Sequence, residues 1–515
     1  MAFNVDHLLN TNSTPSQEQR HVLQNFILQL DEAILNADEG ISDINNQILA
    51  MQAKILVFQT KRTQLVQQRR RYSSLLSTVR CLPIEIFGKI FVYATLDRPR
   101  HVLNISAVCQ LWRDAALGTP MLWSMLELGH HTTSRNMDNH INSWIERARS
   151  YPLSLVIKKK DGFLDPVHNI LTLITKYRWE SITLDSSNIS ILSILKELES
   201  SNLETLESFS LVPRFSRHFE SSLLDALQFA PKLKTLSLLS HYPVAFDALP
   251  FPWRQLTNLT IGLVWNTNTP NFSMDILQAC VNLEEFTLEG DGSGLRRGSD
   301  DSITLNYLRK LHTHCIDNTF LLSLKTPSIQ DLSIWVWCRS LITNQSNSIF
   351  DYIKKHSSTL LKLSIAPLDT KFIESIPYLR CLVKLKIHDN ERGGQSIYEV
   401  LNSLVVSPEM DPFTIPLPRL EVLEIICQAT GRNQGLFMKV INSRWWSNEE
   451  ENTRLKQGQR SLSRIKRSVL MNVLPGFNMF YKDDVDILRA QGMSIEYLAN
   501  FDGGDDFYLS QASKF

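Results

Sequence analysis

The chain has 515 residues, of which 43% are hydrophobic and 21% are charged, a composition typical of a globular protein with about three domains. Lysine plus arginine and aspartate plus glutamate both number 53, so the chain lacks the basic excess of a nucleic-acid-binding protein, and we expect no nucleic acid partner. It also lacks a signal-peptide pattern at its start, a run of 18 apolar residues and paired cysteine spacings, so we expect cytoplasmic or nuclear localisation and no membrane partner.

The first predicted element is a long helix over residues 15–79. Thr14 is its predicted N-cap, Pro15 suits the first helical position, and Gln17 completes a capping box. A seven-residue repeat follows, with two apolar positions in each of five successive heptads. These positions hold Ile27, Ile34, Ile41, Ile48 and Ile55, and, three residues later in each heptad, Leu30, Ala37, Ile44, Met51 and Phe58. The pattern predicts a coiled coil; the alternative is an amphipathic helix lying on the protein's own body.

Charge is divided along this helix. Residues 18–43 contain six acidic side chains and one basic one, whereas residues 52–80 contain seven basic side chains and no acidic one. Two antiparallel copies would set acidic residues against basic ones, so we expect any self-association through the coiled coil to be antiparallel. The interaction of these charges with the helix dipole is the alternative explanation, but it acts mainly on the terminal turns.

Residues 80–128 predict a small all-α module. Pro83 suits the first turn of a helix, and Ile86, Ile90 and Phe91 follow at helical spacing on one face. A second helical stretch carries Val108 and Trp112, and Thr119-Pro120 ends it. A module of this size buries little surface by itself, so it is expected to need a partner.

The order and spacing of these residues resemble those of the F-box. The string Leu82-Pro83-x-Glu85-Ile86-x-x-x-Ile90-Phe91 resembles its opening, and Val108-Cys109-x-x-Trp112-Arg113-x-x-Ala116 resembles its second half in fungal F-box proteins. The resemblance implies that the segment binds a Skp-type adaptor and, through it, a cullin. It implies an apolar contact made by Leu82, Pro83, Ile86, Ile90, Phe91, Val108 and Trp112. The same side chains could instead form the module's own core; Leu82, Pro83 and Phe91 are weighted towards docking and Trp112 towards the core.

Residues 129–434 repeat the unit apolar-x-x-apolar-x-apolar ten times, from Trp179/Ile182/Leu184 to Leu420/Leu423/Ile425, with a degenerate copy at Leu462/Ile465. Most repeats lie near the period of leucine-rich repeats, about 20–29 residues. Each unit predicts a short strand, with a crossover such as 221–229 or 276–279 between strands. Stacked units predict an irregular leucine-rich-repeat solenoid with parallel strands, and residues 435–515 a C-terminal repeat or cap region. The fold class is therefore α/β overall.

Strand alternation predicts which side chains face away from the core. Among them, Trp335, Trp337, Lys384, Lys386 and His388 are the candidate ligand-binding residues, because exposed tryptophans are frequent interaction hot spots. Coverage of these residues by the following loop is the alternative.

No catalytic or cofactor motif is found. Gly292, Gly294 and Gly298 have the wrong spacing for a dinucleotide site, and His312, His314 and Cys315 lack a second pair of zinc ligands. We therefore expect no catalytic residues, metal or cofactor. The predicted function is that of a non-enzymatic substrate-recognition adaptor of a Skp/cullin/F-box type ubiquitin ligase, which binds an unknown protein substrate through its repeats. A ligase-independent interaction scaffold is the alternative.

Overall fold

The computed structural model describes most of the chain. The described residues are 9–10, 14–96, 98–128, 137–159, 176–186, 203–213, 226–240, 251–263, 272–273, 275–289, 295–296, 302–314, 318–335, 349–366, 370–389, 395–407, 409–411, 413–427, 431–446, 462–473 and 477–499. The chain divides into two units, residues 1–87 and residues 88–515.

The first unit is dominated by helix α1, Gln17–Leu75, which has 59 residues, none of them buried. Its N-cap is Ser16: the Ser16 hydroxyl accepts a hydrogen bond from the Gln19 amide at 3.3 Å, and the Gln19 side chain accepts one from the Ser16 amide at 2.9 Å. The prediction of Thr14 as the cap was therefore wrong by two residues. Pro15 precedes the cap, where its missing N–H costs no helical hydrogen bond, and its carbonyl accepts from the Arg20 Nε at 3.1 Å. A 3-10 helix, Thr78–Cys81, follows.

Nine further helices are described. They are α2 Ile84–Thr95, α3 His101–Ser106, α4 Gln110–Leu117, α5 Met137–Ala148, α6 Asp275–Ala279, α7 Asn318–Ser323, α8 Gln395–Leu404, α9 Gly431–Arg444 and α10 Phe477–Ala490. Residues 349–355 are also helical. Short 3-10 helices cover Pro120–Trp123, Trp253–Gln255 and Thr370–Tyr378.

The second unit is built on a parallel sheet of 14 strands whose order in the sheet follows the order in the chain. The strands are β1 Met125–Leu128, β2 Leu153–Lys159, β3 Trp179–Ser186, β4 Ser208–Pro213, β5 Thr235–Ser240, β6 Asn258–Leu263, β8 Glu285–Glu289, β11 Lys310–His314, β13 Asp331–Trp335, β14 Lys362–Ala366, β15 Lys384–Asp389, β16 Val422–Cys427, β17 Arg467–Val473 and β18 Ser494–Ala499. Two small pairs lie outside it: β7 Phe272–Ser273 with β9 Leu295–Arg296, and β10 Ile303–Thr304 with β12 Leu324–Lys325. A parallel sheet in chain order is the arrangement of a stacked repeat domain, in which each unit contacts its neighbours.

The core lies on one face of this sheet. Alternate strand residues, such as Leu236 and Leu238 in β5 or Leu385 and Ile387 in β15, are at most 4% exposed. The buried residues of neighbouring strands lie side by side, because the strand register pairs Leu236 with Leu259 and Leu385 with Leu423. All ten predicted repeat units coincide with strands of this sheet, and helix α6 confirms the crossover predicted at 276–279. Of the crossover predicted at 221–229, only residues 226–229 lie within the described part of the chain.

The ends of the sheet extend beyond the predicted repeats. Strand β1 lies at residues that the sequence assigned to the helical module, and it pairs with β2, which was not predicted. At the other end, the degenerate copy was predicted three residues too early. Ile465 holds the first apolar position of the repeat unit, and Ser468 and Leu470 pair with Leu423 and Ile425. Strand β18 extends the sheet further.

Candidate functional site

Residues 88–128, which we call the helical module, have a small aromatic core. Phe91 is 2% exposed, and its ring centroid lies 5.0 Å from that of the half-buried Trp112. Gly88 allows close packing against Thr119, because a Cβ at position 88 would lie 2.4 Å from the Thr119 Oγ1. The Arg113 Nε donates to the Ser106 carbonyl at 3.0 Å and ties α4 to α3. These contacts hold the short helices of the module in one arrangement.

Trp123 attaches the helical module to the sheet. Its indole Nε1 donates to the Ala116 carbonyl at 2.8 Å, and its ring packs edge-on against Trp144 of α5, with centroids 4.9 Å apart. The Arg147 guanidinium lies 4.5 Å from the centre of the same ring. Strand β1, the last element of the module, pairs with β2 of the sheet, and within the module Arg100 donates to the carbonyl of Glu127 in β1 at 2.9 Å. The module is therefore packed on the first repeats rather than linked to them by a free tether.

The helical module nevertheless leaves much apolar surface uncovered. Eight of its described large apolar side chains are between 37% and 76% exposed: Ile90, Tyr93, Leu96, Leu103, Val108, Leu111, Leu117 and Met121. Single exposed apolar residues are ordinary, but so many within about 40 residues make this segment a candidate protein-interaction surface.

The predicted docking residues divide into exposed and buried groups. In the first unit, Leu82 is half-buried, and Pro83 and Ile86 are exposed. In the second unit, Ile90 is 46% and Val108 59% exposed. Phe91 and Trp112, by contrast, contact each other in the core of the helical module. The weighting of Trp112 towards the core agrees with its position, whereas Phe91, weighted towards docking, lies in the core.

A comparison with known families decides what this segment resembles. Residues 79–128 match the F-box-like family model. The match begins in the 3-10 helix Thr78–Cys81 and ends with β1, so this F-box-like segment, residues 79–128, includes the whole helical module. No curated protein matches the chain.

The second candidate site is the face of the sheet opposite the core, which we call the wall. On the wall, acidic and basic side chains of neighbouring strands form ion pairs. Lys310 pairs with Glu285, Asp331 lies 3.7 Å from Lys362, and Lys384 lies 2.9 Å from Glu424. Because these groups are partly exposed, each pair adds little stability, and the pairs chiefly give the wall a mixed polar surface.

An aromatic and basic cluster, which we call the Trp335 cluster, lies further along the wall. The Trp335 ring centroid is 5.0 Å from that of His388, and the Lys386 Nζ lies 5.9 Å from the Trp335 ring centre. Strand β14 separates the strands that carry them, and its residue at this row is only Ala366. A small residue there leaves space for the tryptophan ring to reach across two strands.

The four described candidate ligand residues lie on the wall, but they differ in exposure. Trp335 and Lys384 are half-buried on the wall, whereas Lys386 and His388, predicted to be exposed, are each 5% exposed. Burial lowers the pKa of Lys386 to about 8, although the Glu424 carboxylate opposes this shift. Trp337 lies outside the described residues. The burial depends on side chains from separate strands, which alternation along one strand does not encode.

Of the residues considered for metal binding, Cys315 lies outside the described residues. Across the part of the chain that the structure describes, no three His, Cys, Asp or Glu side chains are grouped closely enough to hold an ion. His312 lies on the wall, where burial lowers its pKa and the Asp331 and Glu285 carboxylates act in the opposite direction. In the same described ranges, no helix has both the length and the apolar character to cross a membrane.

Sequence reasoning missed part of the exposed apolar surface. Tyr93, Leu103, Leu111 and Met121 were not selected, although each is at least 39% exposed. A helix-face pattern marks residues that recur at one spacing, and these residues lie on several short helices and a 3-10 turn. Only the packed arrangement shows that they remain uncovered.

Proposed function

We propose that this chain is the substrate-recognition subunit of a Skp/cullin/F-box type ubiquitin ligase. In this proposal the F-box-like segment binds a Skp-type adaptor and through it a cullin, and the wall binds a protein destined for ubiquitin-dependent degradation. The chain itself is not an enzyme and works in the cytoplasm or the nucleus. Helix α1 associates with α1 of a second copy, and the repeats are of the leucine-rich type.

The exposed apolar side chains of the F-box-like segment carry the proposal. A small helical module whose core is already filled by Phe91 and Trp112 has no internal use for Ile90 or Val108. An apolar partner surface would remove them from water, at about 25 cal/mol for each Å² covered. Family resemblance supports the choice of a Skp-type adaptor as that partner.

Within this contact, the residues divide by role. Leu82, Pro83, Ile86, Ile90 and Val108 are proposed to touch the adaptor. Phe91 and Trp112 are proposed to support the contact by fixing the helices that carry the others, since their rings pack together.

The adaptor contact is tested by the double substitution Leu82→Ala with Pro83→Ala. Truncating buried anchors of an interface commonly costs at least ~2 kcal/mol, or about thirtyfold in affinity. We expect purified tagged protein to lose the adaptor and the cullin, detected by mass spectrometry, while its circular dichroism is unchanged. The matched control is Leu76→Ala, an 85% exposed leucine just before the F-box-like segment, which should leave capture intact. Undiminished adaptor capture by the double variant would contradict the assignment.

The target site is proposed to include Trp335, Lys384, Lys386, His388 and Trp337. Trp335 is the central contact, because a half-buried indole beside basic groups can bind apolar and acidic side chains of a partner. Lys386 and His388 are proposed to act by holding the Trp335 ring in place, since both lie against it and are buried.

This site is tested by Trp335→Ala, compared with Tyr378→Ala. Tyr378 is 57% exposed on the 3-10 helix Thr370–Tyr378, away from the wall. We expect Trp335→Ala to lose the proteins that the Leu82/Pro83 double variant still captures, while it keeps the adaptor. Loss of the same proteins in the Tyr378 variant would argue against a site on the wall. The alternative function, a ligase-independent scaffold, predicts the same captured proteins with no cullin in the wild-type sample.

A further inference from the structure

Helix α1 presents an apolar seam whose side chains are exposed within the described part of the chain. Nine of the ten heptad side chains between Ile27 and Phe58 are 47–70% exposed, and the tenth, Ala37, is also exposed. The helix is about 90 Å long, since each residue adds about 1.5 Å. Isolated helices are marginal in water, and most helical stability in proteins comes from packing of the apolar face. The seam therefore requires a partner along most of its length.

The charge distribution along α1 indicates that its partner carries acidic and basic residues in the opposite order along its own axis. Residues 18–43 of the helix are mainly acidic, and residues 52–80 are basic. A second copy of the same helix offers this complement only when it runs in the opposite direction. In a parallel pair, Arg62 and Arg69, which continue the Ile27 heptad position, would each face their own equivalent in the partner.

Side-chain volume leads to the same orientation. In a parallel pair each residue at the Leu30 position faces its own equivalent, so Ala37 would meet Ala37 and Phe58 would meet Phe58. One layer would contain a gap and another would be overfilled, and both defects are destabilising. In an antiparallel pair, residues of the Ile27 position face residues of the Leu30 position. One antiparallel register pairs all ten seam residues with each other: Ile27 with Phe58, Leu30 with Ile55, Ile34 with Met51, Ala37 with Ile48, and Ile41 with Ile44.

We infer that α1 binds α1 of a second copy of this chain in antiparallel orientation, with the two-fold axis passing between Ser42 and Asp43. Arg62 then faces Leu23 instead of another arginine. The two helices end at opposite ends of the pair, with their Leu75 residues about 100 Å apart. The two F-box-like segments of such a dimer would follow helix ends that lie at opposite ends of the pair. Only this last point rests on the proposed function.

Disulfide crosslinking between two differently tagged full-length chains tests the orientation and the register. Both chains carry Cys81→Ser and Cys109→Ser, which remove the two described exposed thiols. One chain also carries Ala37→Cys and the other Ile48→Cys. We expect mild oxidation to join the two tags. The Ile48→Cys chain alone should not crosslink, because its two thiols would be about 16 Å apart along the axis. Efficient crosslinking of the Ile48→Cys chain alone would show a parallel pair and overturn the inference, as would failure of the mixed sample to crosslink.

A seam variant separates this inference from the proposed function. Ile41→Asp with Ile44→Asp places four carboxylates beside the two-fold axis, so we expect the mass in solution to fall from two copies to one. The control, Ser42→Asp with Asn46→Asp, adds the same charge on the outer face of the helix and should stay dimeric. Both variants should still capture the Skp-type adaptor. A wild-type chain that is monomeric by light scattering would refute the pairing even if adaptor capture is intact; dimers that fail to capture the adaptor would refute only the proposed function.

Discussion

Along α1 the heptad isoleucines are about half-exposed, whereas the leucines and isoleucines at alternate strand positions of the sheet are almost wholly buried. Both regions have regular apolar patterns, one with the period of a helix seam and the other with the period of a strand. The difference lies in where the second layer comes from. The core face of the sheet is covered by residues of the same chain, while α1 and the helical module expose apolar side chains that we propose another chain covers. A regular apolar pattern therefore predicts burial, but it does not tell whether the covering layer belongs to the same molecule.

The largest expected effect is in the core of the sheet. Phe286 in β8 is fully buried, and its ring centroid lies 6.3 Å from that of Phe320 in α7. Phe286→Ala should lower the free energy of unfolding by about 3–5 kcal/mol, independently of protein concentration. Phe413→Ala, at a phenylalanine that is 80% exposed, is the control and should change it by less than about 0.5 kcal/mol. Both variants are measured by urea denaturation. Equal effects would contradict the conclusion that the apolar face of the sheet is covered by the protein's own chain.

A smaller effect is expected at the polar support of the sheet. Arg444 at the end of α9 is fully buried, and its guanidinium donates to the carbonyls of Leu404, Pro416 and Leu417 at 3.0, 2.6 and 3.1 Å. Burial lowers its pKa to about 10, which still leaves it charged at neutral pH. Arg444→Met should cost about 2–4 kcal/mol, because buried carbonyls lose their donors.

Lys439→Met in the same helix is the control for Arg444, since Lys439 is exposed. It should leave the denaturation midpoint unchanged. A midpoint for Arg444→Met as high as that of the control would mean that the arginine does not hold the segment around Leu417 in place.

The smallest effect concerns pH. His356 is 6% exposed, and burial with the nearby Lys355 charge lowers its pKa from 6.5 to about 4. Among the described residues, its Nε2 has no hydrogen-bond partner. The unfolded chain protonates His356 at a higher pH than the folded chain does. The contribution of neutral His356 to stability is therefore complete above pH 6.5 and is lost as the pH falls towards 4.

The loss at His356 between pH 6.5 and pH 4 should be at most about 3 kcal/mol. His356→Gln should reduce the loss of stability between pH 6.5 and pH 4, measured by denaturation at each pH. An unchanged pH dependence would show that another group controls acid unfolding of the sheet.

The ten central strands could be predicted because nine of them combine three buried apolar residues at strand spacing, and the tenth has the buried Thr313 at its third position. Strand β17 broke this pattern, since Ser468 occupies a buried position that leucine holds in the repeat before it. Strand β1 was hidden because it is only four residues long and directly follows helical residues. The N-cap was misplaced since Thr14 and Ser16 are both good caps, and only the geometry selects between them.

The candidate sites were less predictable than the fold. The role of Leu82, Pro83, Ile86, Ile90 and Val108 in adaptor binding stays a prediction. The core position of Phe91 depends on its contact with Trp112 from another helix. The burial of His388 likewise depends on Trp335, which lies two strands away in the sheet. Contacts of this kind join residues that no local pattern relates.

Amide hydrogen exchange of the full chain with and without a purified Skp-type adaptor tests the central claim most directly. The account predicts that the adaptor slows exchange in the F-box-like segment, around Leu82–Phe91 and Val108–Trp112, and leaves the sheet strands β5–β16 unchanged. The same exchange pattern with and without the adaptor, at concentrations where the adaptor binds an established F-box protein, would contradict it.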